Sequence, residues 1–389
     1  MENTFKILSL DGGGIRGVLS ATLLKEVETI LKEKKGQELH EYFDLVAGTS
    51  TGSILAAGIA CQMNAQQMIE LYLKEGKNIF LDSVRRQRKW RILGQFFGSH
   101  VLYPHARGEQ GLAKVLEKAL CDSPVGKKLG KSPTMAEIKQ HSTSQLLILA
   151  YDVLSRNTTW FANDDPKEWY YQTDLWKICT ASASAPTFFP PYQLPYFDDF
   201  LPHIDGGVAA NNPELAAIAH ALSMTIEDKT NPKIEQIAVL SIGTGQTTRP
   251  YTYNEIKNWG SLEWVMNIPN IFLNPSAENS EYISRRIFMG ICNQNYLRLD
   301  FDLNKRFESK REPGKLPKLL KEPYNQYIFD KTAGKEKKAI SEEIDNPENC
   351  GDLIEAAKCY LDCGKIINYP NKGNNVPVRD AIQNFIECH

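Results

Sequence analysis

Two glycine-rich turns, each set between a short apolar run and a helical pattern, constrain this chain more than any other feature. The first is Asp11-Gly12-Gly13-Gly14-Ile15-Arg16-Gly17, which follows the apolar run Phe5–Leu10. The second is Gly48-Thr49-Ser50-Thr51-Gly52, which follows Phe43–Ala47 and precedes the Ala-rich run 54–60. A short apolar run ending in a tight turn reads as a buried strand. After the first turn, Leu23, Val27, Ile30 and Leu31 recur at helical spacing and predict a helix over about 17–34. Helices are predicted at about 51–62 and 64–78 after the second. Alternating strands and helices predict an α/β fold built on a parallel sheet.

Composition agrees with a folded chain. Of 389 residues, 42% are hydrophobic and 24% are charged, which excludes disorder, collagen and coiled coil as descriptions of the whole. The formal net charge is -2, so no protein-wide field for a nucleic-acid polymer exists. The 8 Cys form no CxxC pair and no Cys/His metal spacing, so no metal site is expected and free thiols in a reducing compartment are. No stretch of 18 apolar residues spans a membrane, and the start lacks a basic segment followed by an apolar one. A cytoplasmic protein, at most peripheral to a membrane, is expected.

Further strands are predicted at about 146–154, 203–205 and 237–242. Further helices are predicted at about 108–120, 174–183, 212–222, 352–364 and 378–387. Residues 304–338 hold 11 Lys/Arg against 5 Asp/Glu with Pro313, Pro317 and Pro323, and read as an exposed, weakly structured basic connection.

The second turn carries the sharpest chemistry. A serine on a tight strand-to-helix turn, flanked by the small residues Gly48 and Gly52, is the setting of a nucleophile elbow. The following helix points its amides and positive dipole end at that serine. A glycine-rich turn with an N-cap serine has the same sequence. The first turn exposes backbone N–H groups that suit an anion, either a phosphate or the oxyanion of acyl transfer. Gly12, Gly14 and Gly17 satisfy GxGxxG, which opens the alternative of a nucleotide-binding module. The ribose-binding carboxylate that should end the second strand is absent, and Val18-Leu19 replaces the Lys-Ser/Thr of a Walker loop. A third element, His203-Ile204-Asp205-Gly206-Gly207, places a carboxylate beside two glycines, where it can approach a hydroxyl as a general base.

Together and in this order, DGGGIRG, GTSTG and DGG resemble the patatin-like phospholipase family. Ser50 lies 36 residues after Gly14, and Asp205 lies 155 residues after Ser50. Supporting segments are the stretch 180–191 (TASASAPTFFPP), the stretch 240–245 (LSIGTG) and, more weakly, 295–299 (NYLRL). The resemblance covers about residues 5–303, expected to form a catalytic domain, with 304–389 a basic connection and C-terminal helices packed on it. It implies a three-layer α/β/α sandwich around a central, mostly parallel sheet. It implies a Ser50–Asp205 dyad, an oxyanion hole from Gly12, Gly13 and Gly14, and Arg16 near a lipid phosphate or buttressing the turn. Gly17, Gly48, Gly52, Gly206 and Gly207 complete the motifs. The implied reaction hydrolyses fatty-acyl esters of phospholipids or galactolipids through an acyl-enzyme, with no metal or cofactor. Some bacterial members of that family are switched on by cyclic nucleotides, so the resemblance leaves a cyclic-nucleotide-activated phospholipase effector as a further alternative. The basic 79–103 segment or the 304–389 tail is the place for such a site; no motif marks one.

The residues support the dyad independently in one respect. After Asp205 the chain offers only His220, in a helical segment, and the terminal His389 as imidazole bases. Two further segments invite a lipid reading. In 79–103, Arg85, Arg86, Arg88, Lys89 and Arg91 surround Trp90 and precede Phe96 and Phe97, a pattern that suits an anionic lipid surface, as a lid or an interfacial segment. The aromatic residues 188, 189, 192, 196, 197 and 200 precede Asp205 and suit an acyl groove.

Overall fold

A computed structural model describes residues 4–93, 102–224, 231–247, 250–308 and 317–389. The chain opens as β1 (Phe5–Leu10), α1 (Gly17–Lys35), β2 (Leu45–Thr49), α2 (Thr51–Ala60), α3 (Ala65–Ile79), α4 (Asp82–Leu93) and α5 (Leu112–Cys121). It continues as β3 (Gln145–Asp152), β4 (Asn157–Ala162), α6 (Leu175–Ser182), β5 (Tyr192–Tyr196), β6 (Asp199–Asp205), α7 (Glu214–Ala221) and β7 (Ile237–Ile242). The long α8 (Ser261–Ile291) leads to β8 (Tyr296–Leu299), the hairpin β9 (Lys305–Phe307) and β10 (Leu319–Tyr324), then α9 (Gln326–Lys331), α10 (Cys350–Cys363) and α11 (Val378–Cys388).

Among the described residues the central sheet has eight strands in the order β5-β6-β3-β2-β1-β7-β8, with β4 also paired to β3. The run β3-β2-β1-β7-β8 is parallel; β4, β5 and β6 enter antiparallel, so the sheet is mixed. Side chains alternate between its faces. Leu8, Leu10, Val46, Ile148 and Leu240 join one apolar cluster; Ile7, Leu45, Ala47, Leu147 and Val239 join the other. Burial on both faces is what parallel strands flanked by helices require.

The strand β3 has two edges and three partners. β4 runs along one edge, pairing residues 147–152. The other edge is shared end to end: β2 pairs 145–149 and stops with Thr49 opposite Leu149, while β6 arrives from the opposite direction and stops with Asp205 opposite Ala150. The residue after Thr49 is Ser50, so two strands ending head to head bring Ser50 and Asp205 together.

Residues 304–338 depart from the sequence expectation. They contain the antiparallel β9–β10 hairpin and α9. Two asparagines account for the order. Asn325 caps α9 through Ile328 N–H and donates from Nδ2 to the Leu303 carbonyl, and Asn304 exchanges two 2.8 Å hydrogen bonds with Ile340. Further on, α10 and α11 bury Leu353, Tyr360, Ile382 and Phe385 in the same core as Leu19 and Leu23 of α1. Among the described residues no helix is long and apolar enough to cross a membrane.

Candidate active site

Ser50 sits at φ 54°, ψ −123°, a conformation that side-chain-bearing residues rarely adopt. Close packing imposes it. A Cβ on Gly52 would lie 2.0 Å from the Leu10 carbonyl oxygen, and one on Gly48 would lie 2.3 Å from that of Gly52. The elbow is wedged between β1 and its own helix, with Gly17 packed tightly beside Thr51 and Tyr72. The Ser50 side chain makes no cap bond to α2 and is therefore free for chemistry. It donates to Asp205 Oδ2 at 2.6 Å.

Asp205 is held in turn. Its Oδ1 accepts the Gly207 N–H at 2.7 Å, and its own N–H donates to Ser184. Gly206 passes so close to β3 that a Cβ there would lie 2.1 Å from the Leu149 carbonyl oxygen. Burial raises the Asp205 carboxyl from 3.8 to about 6, while the Ser50 hydroxyl and the Gly207 N–H draw it back.

The glycine loop after β1 lies against this pair. The Gly12 N–H is committed to the Asn211 carbonyl at 2.9 Å and the Ile15 N–H to the Ile344 carbonyl at 2.8 Å. Among the described hydrogen bonds the Gly13 and Gly14 amides have no acceptor, and both residues line the cavity that contains Ser50 and Asp205. Gly12 instead lies beneath the nucleophile, where a Cβ would come within 3.1 Å of Ser50 Cβ. The cavity is walled by apolar side chains, among them Ile54, Ile79, Phe80, Leu112 and Phe189. That lining suits an acyl chain.

Arg16 does not line this cavity. It is buried beneath the turn, where it faces a second cavity of about 310 Å³ with Asp300, Glu278 and Gln246. Desolvation lowers its pKa against the fields of Asp300, Glu342 and Asp11. The turn itself is anchored by Asp11, whose two carboxylate oxygens accept from Arg298 at 2.8 and 2.5 Å; Arg298 also pairs with Asp300.

His220 does not line the cavity of the dyad and faces Asp164 at 3.5 Å. His203, two residues before Asp205, is fully buried and bonds Thr159. The aromatic run divides: Phe188 and Phe189 line the cavity, whereas Phe197 and Phe200 stand exposed on the β5–β6 hairpin. Within the basic segment Arg85 contacts Asp82, Asn346 and Glu348, and Arg88 contacts Asp345 and the Thr187 carbonyl, whereas Arg86 is exposed. The side chains of residues 89–93, Trp90 included, and all of 94–101, with Phe96 and Phe97, lie outside the described residues.

Sequence reasoning passed over three site residues. Ser182 accepts the Ser50 N–H at 2.9 Å and donates to the Leu149 carbonyl at 2.6 Å, tying the elbow to β3. It stood inside the quoted stretch 180–191 without a role. Asn211 clasps Gly12 from both its backbone and its side chain. Ile344, in the C-terminal region, carries no motif.

Comparisons with known proteins identify the family. The family model described as patatin-like phospholipase matches residues 8–218. "Patatin-like protein 1" of Arabidopsis thaliana is 30% identical, over 76% of this chain and 74% of its own. "Patatin group J-1" of Solanum tuberosum is 28% identical, over 77% of this chain and 76% of its own. A third relative, also 28% identical, is "Probable inactive patatin-3-Kuras 1" of Solanum tuberosum, over 75% of this chain and 77% of its own. Among solved structures, "Human GIVD cytosolic phospholipase A2" aligns over 100% of this chain and 61% of its own at 12% identity and TM-score 0.43. The chain belongs to the patatin-like phospholipase family.

Proposed function

We propose that this chain is a serine lipid acyl hydrolase that cleaves fatty-acyl esters of phospholipids or galactolipids through a Ser50–Asp205 dyad. Family membership supports a lipid-hydrolysing enzyme. The observation that carries the finer reading is the 2.6 Å hydrogen bond from Ser50 Oγ to a buried carboxylate, inside an apolar cavity edged by two uncommitted amides.

In this reading Asp205 takes the hydroxyl proton as Ser50 Oγ attacks the ester carbonyl. The Gly13 and Gly14 N–H groups receive the oxyanion of the tetrahedral intermediate, and the N-terminus of α2 adds its dipole. Collapse expels the lipid alcohol, which takes the proton back from Asp205. Water then repeats the sequence on the acyl-enzyme: Asp205 accepts its proton, and the fatty acid leaves as Ser50 is reprotonated. Arg16 buttresses the loop from below. The catalytic unit is residues 5–303, with 304–389 packed on it, and the protein meets its substrate at a membrane surface.

Treatment with a fluorophosphonate probe followed by peptide mapping is expected to label Ser50 in the wild-type protein and not in Asp205→Asn. Mass spectrometry of a mixed-lipid digest should then show free fatty acid and the matching lyso-lipid. Absence of both label and fatty acid would refute the reading and place this chain beside its relative named as probably inactive.

A further inference from the structure

The family model ends at residue 218, yet the wall of the cavity does not. Ile344 lies in the C-terminal region and lines the same cavity as Ser50, Asp205 and Phe189. Its carbonyl accepts the Ile15 N–H at 2.8 Å, so it docks on the glycine loop itself. The fit is close: at Gly14, φ +60°, a Cβ would lie 2.3 Å from the Ile344 carbonyl oxygen and 3.0 Å from its Cβ.

Contacts on both flanks hold Ile344 in place. On one side Asp345 accepts from the Tyr103 hydroxyl at 2.8 Å and faces Arg88 at 3.8 Å, Asn346 accepts from Arg85, and Pro347 packs near Gly76 of α3. On the other side Ile340 is pinned by Asn304, and Glu342 accepts from Arg306 at 2.9 Å and from Asn304 at 2.9 Å. The resulting strap, residues 340–347, runs from the β9 side of the molecule to α3 and α4 and crosses the cavity on the way. Arg88 continues it: this guanidinium also lies 4.4 Å from the Phe188 ring, another wall of the cavity.

We infer that Ile344 is a specificity-determining residue for the acyl chain, and that the strap makes the C-terminal region part of the active site. The inference rests on the acyl-hydrolase reading above and deepens it. An apolar wall discriminates by volume, since each methylene admitted or refused changes kcat/KM by about tenfold or more. A larger side chain at 344 shortens the chain that fits beside Ser50; a smaller one lengthens it.

The test is the acyl-length profile of kcat/KM on p-nitrophenyl esters from butyrate to palmitate, for wild type, Ile344→Trp and Ile344→Ala. Rates are normalised to the fraction of Ser50 labelled by a small fluorophosphonate. The palmitate-to-butyrate ratio is expected to fall about tenfold in Ile344→Trp and to rise in Ile344→Ala. Opposite shifts cannot come from a loss of folded protein, which the normalisation removes. Profiles that stay unchanged, or move in the same direction in both variants, would overturn the inference while leaving the Ser50 reading intact. Failure of wild-type Ser50 to label would overturn the hydrolase reading instead. Where Ile344→Trp yields no folded protein, Ile344→Phe takes its place with the same expected direction.

Discussion

Replacing Asp205 with asparagine tests the dyad through two quantities that move in opposite directions. Burial holds the Asp205 carboxyl at about 6 rather than 3.8. A general base must be ionised to act. About nine tenths of the sites are ionised at pH 7 and about one tenth at pH 5, so kcat/KM for a soluble short-chain ester should fall about tenfold between them, and about tenfold again by pH 4. A carboxyl left at 3.8 would keep more than about nine tenths of its activity at pH 5. The same shift has a cost in stability of about 3 kcal/mol for the ionised folded state. Because the folded-state pKa lies above the unfolded value, the native protein binds the proton more tightly. Wild-type stability therefore falls as pH rises from about 4 through about 6 and stays lower beyond. Asp205→Asn has no proton to lose there. It should be inactive at every pH, yet more stable than wild type at pH 8 by up to about 3 kcal/mol, less about 1 kcal/mol for a weakened hydrogen bond. The gain should disappear at pH 4. Urea denaturation at the two pH values and the pH profile of kcat/KM measure both. Turnover by Asp205→Asn, or a wild-type profile flat to pH 4.5, would refute Asp205 as base. A variant equally unstable at both pH values would refute its raised pKa.

Two further perturbations and one control follow. Ser182→Ala removes the acceptor of the Ser50 N–H and leaves a buried amide unpaired. It should cost about 1–3 kcal/mol in urea melts and lower kcat more than it raises KM; an unchanged kcat would mean that the elbow does not need this tie. Arg298→Met strands Asp11 and Asp300 in the interior and should cost about 3–5 kcal/mol, read as a lowered urea midpoint; a midpoint equal to wild type would refute the anchoring role of this pair. His220→Ala should leave kcat/KM and its acid limb where they are, and a limb displaced by this change would bring an imidazole into the mechanism.

Much of the catalytic half was readable because it rests on short-range rules. Glycines at 48 and 52 are demanded by neighbouring backbone, and the strands before each turn are continuous apolar runs, so β1, α1 and α2 lie close to where periodicity puts them. β2 was displaced, expected over 43–47 and found over 45–49, because Gly48 and Thr49 look like turn residues yet pair with Ile148 and Leu149. The ladder partner decides this, and the partner lies about 100 residues away in the chain. The helix α8 was not anticipated; it runs through Pro269 and Pro275, a residue type that ordinarily interrupts a helix. Between 304 and 338, counting charges and prolines hid Asn304 and Asn325, whose buried side chains order the segment through partners that no local pattern reveals. Ile344 is the extreme case: an isoleucine in a polar stretch, given meaning only by the carbonyl and cavity it meets.

The shared edge of β3 divides the site into two parts with different freedom to move. Ser50 follows the Thr49–Leu149 ladder pair by one residue, and Asp205 is itself paired with Ala150, so both are tied to the same strand. Drawing them apart means breaking ladder hydrogen bonds in the middle of a sheet buried on both faces, and such bonds are the last to open in a native protein. The opposite walls lie outside the sheet and hang from isolated contacts: Ile344 from its strap and one backbone hydrogen bond from Ile15, and Phe188 from a turn in which Thr187 is held at positive φ. The distance between nucleophile and base is thus set before any lipid arrives. Accommodation of chains of different bulk falls to the walls, so breathing at the mouth need not loosen the chemistry within.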